Sequence, residues 1–299
     1  MALAGRWPDP IFPSLRAVRE RQGAGGDARR FLDFYRDVCR CLGSPADYAA
    51  VARDLVLRLS RERIRYAEVY VSPTVVERLD LPWYPVRDAL EAVFAAHERA
   101  GRGRVRVLLD AVRQWGPPAA ARVLDLHERR PWRRAVGFGL GGDETAFPAR
   151  DYARVYARVR ALGLAPLVHA GEWAGPRSVA AALRWLRPVR IAHGLRATDD
   201  AGLVRLLARQ GVALDACPTS NVATGALPDV GDVARRIRLL LAAGVPVTLS
   251  TDDPGLFATT LYGEYRTLAA AGLSAAELRA LWTASRRAAL SPRGRARRG

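Results

Sequence analysis

Short apolar runs recur along the chain at 65–71 (RYAEVYV), 104–110 (RVRVLLD), 134–140 (RAVGFGL), 165–170 (APLVHA), 189–194 (VRIAHG), 212–217 (VALDAC) and 245–251 (VPVTLST). Runs this short and this continuously apolar predict strands buried on both faces. Between them lie stretches with helical spacing, at 121–128, 151–163, 178–186 and 232–244. Gly163, Gly211 and Gly244 follow three of these helices, where a C-cap glycine belongs. Strands alternating with helices predict a parallel α/β fold.

Seven strands are one short of the eight that close a (β/α)8 barrel. Before the first of them, FLDFYRDVCRCL and DYAAVARDLVLRLSRE have the helical period, with Pro45 between them. The segment PIFPSL (10–15) has a Pro at both ends of its apolar core and makes a poor strand. The expected architecture is a TIM-type (β/α)8 barrel lacking strand one. Its open seam should lie between the strand at 245–251 and the strand at 65–71. With 299 residues, 49% of them hydrophobic, the whole of 1–299 is expected to be one domain. Residues 1–30 should be an irregular N-terminus and 290–299 a basic tail.

Composition adds little that is specific. The net charge is +17, and all 47 basic residues are Arg. They are scattered along the chain, with one dense cluster in the tail RRAALSPRGRARRG. Nucleic-acid binding is therefore not the expected function. No run of about 18 apolar residues occurs, so no membrane span is expected. The first twenty residues lack the apolar core of a signal peptide, and a cytoplasmic enzyme is the expectation. Cys39, Cys41 and Cys217 are too few for a disulfide framework and read as neutral thiols.

Polar groups gather just past the apolar runs. His169 and Glu172 follow one strand in HAGE, His193 ends RIAHG, and Asp252 and Asp253 end STDDP. In a parallel barrel these ends converge on one face, where catalytic groups from several strands meet. Imidazoles with carboxylates suit zinc or a similar divalent ion. Such an ion turns water into a nucleophile near neutral pH, and a neighbouring carboxylic acid can shuttle protons.

HAGE, RIAHG, CPTSN and STDDP, in this order, resemble the adenosine deaminase family of the amidohydrolase superfamily. The resemblance covers about residues 30–290, and GLGGDE (139–144) resembles the family's purine-contact loop. It implies hydrolytic deamination of an adenine-bearing nucleoside, with Zn2+ or another divalent metal as cofactor. The metal ligands would be His169 and Asp252. Glu172 would protonate a ring nitrogen, His193 would orient or deprotonate the attacking water, and Asp253 would contact the water or the purine N7. The backbone N–H of Gly142 would meet a ring nitrogen. The family's His-x-His pair at the end of strand one has no counterpart here. His97 and His127, the remaining histidines, lie in helical stretches and read as surface or core groups. DAVRQWG (110–116), and Gly139 where typical adenosine deaminases carry an Asp, resemble the bacterial 6-aminodeoxyfutalosine deaminases. Arg113 would then pair with a substrate carboxylate.

Two other readings fit parts of the sequence. Gly137, Gly139 and Gly142 match a dinucleotide-binding G-x-G-x-x-G, but that fingerprint needs a helix to open at once, and DETAFPARDY delays it. A non-catalytic member of the same family would keep the barrel scaffold without the missing imidazoles.

Overall fold

The computed structural model describes residues 28–290. The two terminal segments assigned as irregular N-terminus and basic tail, and PIFPSL, fall outside these residues in whole or nearly so. The seven strands form one curled, all-parallel sheet in sequence order: β1 (Tyr66–Val71), β2 (Arg104–Val112), β3 (Ala135–Gly141), β4 (Ala165–Ala170), β5 (Arg190–His193), β6 (Ala213–Ala216) and β7 (Val247–Leu249). Each apolar run found in the sequence supplies one strand. Helices follow the strands on the outside, among them Gly116–Arg129, Ala153–Ala161, Pro176–Trp185, Ala201–Gln210 and Val230–Ala242. Gly163, Gly211 and Gly244 do end helices, with φ of 73°, 64° and 78°.

Among the described residues β7 and β1 do not pair, so the seam lies where the strand count places it. The two sides of the seam differ. β1 has no fully buried residue, and Tyr70 is 38% exposed, whereas every residue of β3 is buried. On the other side, the last helix (Ala275–Ala288) packs on β7, and Ser285 Oγ accepts the N–H of Leu249 at 3.2 Å. The seam expected from the strand count is therefore covered by a helix on its β7 side.

The N-terminal end of the barrel is crossed by residues 288–290. Arg190 donates to the carbonyl of Ala288 (3.1 Å), Tyr66 donates to that of Leu290 (2.6 Å), and the N–H of Leu290 donates to Glu68 (2.7 Å). The Leu290 side chain joins Leu108, Val136, Ala165 and Leu167 in an apolar plug inside the barrel. Below it Arg190 is paired with Glu68 and, at 2.9 Å, with Asp215, whose other oxygen accepts from Thr248 (2.5 Å). A groove of about 850 Å3 opens at this end, lined by Arg190, Val247, Arg279 and Arg287 among others. It has no carboxylate or imidazole in its walls, so the chemistry lies at the opposite end.

Candidate active site

At the C-terminal end of the strands the polar residues meet. His169 is the fifth residue of β4, and Glu172 lies in the loop that follows. The ring of His169 stands 5.3 Å from that of His193 at the end of β5. His193 Nε2 lies 3.6 Å from Glu172 Oε2 and 4.0 Å from Asp252 Oδ2. His193 and Asp252 both sit in the left-handed region, with φ of 63° and 54°. Non-glycine residues adopt this at a cost of about 1–3 kcal/mol, and it persists where the surroundings dictate the geometry.

The CPTSN segment supplies that dictation. Ser220 donates to Asp252 Oδ2 at 2.7 Å, and Asn221 Nδ2 lies 3.0 Å from His193 Nδ1. Glu144 does the same for the HAGE loop. Its buried carboxylate accepts the backbone N–H groups of Gly171, Glu172, Trp173 and Ala174 at 2.7–3.0 Å, and the Ser178 hydroxyl. These bonds hold the Glu144 carboxyl below its ordinary range against the burial that raises it.

The electrostatics of the cavity follow from burial. Burial pushes Glu172 well above the usual carboxylate range, with the charges of Asp252 and Glu144 adding to it. Burial also raises Asp253, reinforced by Asp252 and Asp110. Both imidazoles are pushed down to about 4 by burial, and His169 also by His193. Burial thus makes these carboxyl groups hold their protons more tightly and these imidazoles less tightly, a pairing suited to proton transfer.

Asp110 belongs to this group although the sequence analysis did not select it. The strand runs two residues beyond the apolar run, so Asp110 lies within β2, paired in register with Gly139. A Cβ at residue 139 would stand 2.4 Å from the Tyr70 ring and 3.0 Å from Asp110 Oδ1, so glycine there makes room for both. Ser72 donates to Asp110 Oδ2 (3.0 Å), while Oδ1 is buried without a partner. Burial raises this carboxyl to about 7. The folded state thus holds the proton more tightly than the unfolded chain, and stability falls as pH rises from about 4 to about 7. Asp110→Asn is expected to leave stability at pH 4 unchanged and to raise it at pH 8 by roughly 4 kcal/mol, read from denaturant titrations at the two pH values. An equal effect at both would show that Asp110 is ionised throughout.

Arg113 is placed otherwise than expected. It is 1% exposed, in a 3-10 turn after β2, and donates to the carbonyls of Phe147 (3.1 Å) and His169. Its guanidinium props the HAGE strand from behind and is not presented to a substrate carboxylate. Gly142 follows β3 with φ of 94°, and a Cβ there would strike the Gln114 carboxamide at 2.1 Å. After β3 no helix opens until a 3-10 turn at Ala149–Tyr152 leads into the helix at Ala153, which removes the dinucleotide reading. His97 and His127 stay on the outer helices. Cys39 is raised to about 12, chiefly by burial and then by Asp253, so its thiol is neutral.

Imidazole, thiol and carboxylate donors at this end suit a divalent ion. Among the described residues, donor atoms of His193, Cys217 and Asp252 lie within 4.8 Å of one another, and His169 Nδ1 is buried without a partner. The profile of the adenosine deaminase family matches residues 5–298. The chain belongs to the adenosine deaminase family. Its relatives include an adenine deaminase of Sinorhizobium fredii, 34% identical over 84% of this chain and 77% of that one. A putative adenosine/adenine deaminase of Streptomyces virginiae is 37% identical over 87% of this chain and 76% of the other. The fold matches the crystal structure of an adenine deaminase from Arthrobacter aurescens, with a TM-score of 0.80 at 24% identity, covering 95% of this chain and 92% of that one. This family member thus shares its fold with that neighbour.

Proposed function

We propose that this chain hydrolytically removes the 6-amino group of an adenine ring, its substrate being an adenine-bearing nucleoside, adenosine or 6-aminodeoxyfutalosine. The observation that carries the reading is the raised Glu172 carboxyl beside neutral His193 in a cavity that also holds His169, Asp252 and Asp253. Glu172 supplies the proton that makes the ring nitrogen an electron sink. His193 orients the attacking water and takes its proton, Asp253 accepts from the water or meets N7, and the Gly142 N–H meets another ring nitrogen. His169 and Asp252 would hold Zn2+ or a similar ion, whose contribution is to lower the pKa of water at the site. Relatives named adenine deaminases favour a second reading in which the free base is the substrate.

The test is ammonia release from adenine, adenosine and 6-aminodeoxyfutalosine, with and without chelation and metal restoration. Turnover of a nucleoside that chelation abolishes and metal restores is the expected result. Turnover of adenine alone would replace the nucleoside by the base. Absence of turnover in all three would leave the reading of a non-catalytic family member, which the restriction of cavity imidazoles to His169 and His193 favours.

A further inference from the structure

We propose that in this chain a thiophilic divalent cation is bound by His193, Cys217 and Asp252 together, with Cys217 as a thiolate ligand. The proposal rests on the metal-dependent reading above and changes who holds the ion. Three donors mutually within 4.8 Å leave a point within about 2.8 Å of all of them. Zinc bonds are about 2.0–2.3 Å long, so side-chain adjustments of less than about 1 Å complete three contacts and leave a fourth position open.

The rest of CPTSN is arranged for this. Cys217 Sγ points back to the carbonyl of Asp215 at 3.5 Å, a weak contact that ion binding would exchange for a bond, releasing the thiol proton to solvent. Ser220 fixes the Asp252 carboxylate through Oδ2. Asn221 Oδ1 is buried with no partner while Nδ2 sits beside His193 Nδ1. Turning the carboxamide over exchanges the two. Oδ1 then accepts the Nδ1–H, and the Nε2 lone pair is left facing Asp252 and Glu172. An imidazole that donates its other N–H to a buried oxygen is the usual state of a metal-bound histidine. The helix that carries Ser220 and Asn221 (Pro218–Ala223) is itself held by Glu264, fully buried, which accepts the Thr219 N–H at 3.1 Å. In this arrangement His193 passes from proton handling to ion binding, and Glu172 is left as the proton carrier. Thiolate selects Zn2+, Co2+ or Cd2+ over Mg2+ or Ca2+.

The experiment is cobalt titration of the full chain carrying Cys39→Ser and Cys41→Ser, so that Cys217 is its remaining thiol. The expected result is a near-ultraviolet thiolate-to-cobalt charge-transfer band that saturates at one equivalent. Adding Cys217→Ser should abolish the band and weaken binding by more than the roughly 100-fold upper range for a supporting residue. Stoichiometric cobalt without the band overturns the proposal, as does failure of the parent to bind cobalt. The parent's band decides the matter even if the third substitution prevents folding. Ammonia release is a separate readout. Metal-dependent turnover without the band refutes the site and keeps the function, and the band without turnover does the reverse.

Discussion

Glu172→Gln is expected to lower kcat by roughly 10^2–10^4-fold, the usual contribution of a positioned acid or base. That corresponds to about 3–5 kcal/mol of barrier. The amide preserves shape and burial, and Glu144 still fixes the loop backbone, so KM should move little. The pH profile separates this role from a structural one. An acid must be protonated to act, and burial places Glu172 well above the ordinary range. Activity should therefore fall as pH rises through that raised value, while His193, pushed down to about 4, is already neutral on the acid side. In the Gln variant the alkaline limb should disappear from the residual activity. An unchanged profile in the variant would assign the limb to another group, with Asp253 the next in line.

Arg190→Leu is expected to destabilise the fold by about 3–5 kcal/mol, because it leaves two buried carboxylates without their counter-charge. Glu68, Arg190 and Asp215 come from three different strands and meet inside the barrel, with side chains 8%, 9% and 13% exposed. Arg190 is held well above its ordinary range, chiefly by these two carboxylates against the effect of burial. The double change Arg190→Leu with Glu68→Leu should recover part of the loss, since an apolar pair tolerates burial better than a lone charge. Denaturant unfolding of the single and double variants checks this. A loss below about 1 kcal/mol for the single change would mean that water reaches the network and screens it.

The strands were legible because a parallel sheet buries both faces, and RYAEVYV through VPVTLST each stand out as apolar runs. His169, Glu172, His193 and the Asp pair were legible because they follow those runs. Asp110 was missed because the run seemed to end on it, whereas the strand continues to Val112 and keeps the carboxyl inside. The clue was alternation, with Leu108 and Asp110 sharing the inner face. Glu144 was passed over because its partners are backbone N–H groups of residues 171–174, which residue type does not announce. Arg113 was misplaced because one Arg among 47 carries no mark of direction, and its carbonyl partners lie at Phe147 and His169. The covering of β7 comes from a helix whose pattern looks like any other and which adds one hydroxyl, Ser285, to the strand edge.

The bridge across the N-terminal end of the barrel joins residues 222 and 224 positions apart in sequence, Glu68 and Tyr66 with Leu290. A ribosome adds about 5–20 residues per second, so β1 emerges on the order of 10–45 seconds before its partner exists. During that interval β2 can pair with one side of β1, but its other edge and the Tyr66 hydroxyl lack the partners that residue 290 brings. Closure brings together parts of the chain more than two hundred residues apart, which is the slow kind of contact to form. Nascent chains stalled before residue 290 should therefore engage chaperones that recognise open strands, and β1 should be secured only once residue 290 has emerged.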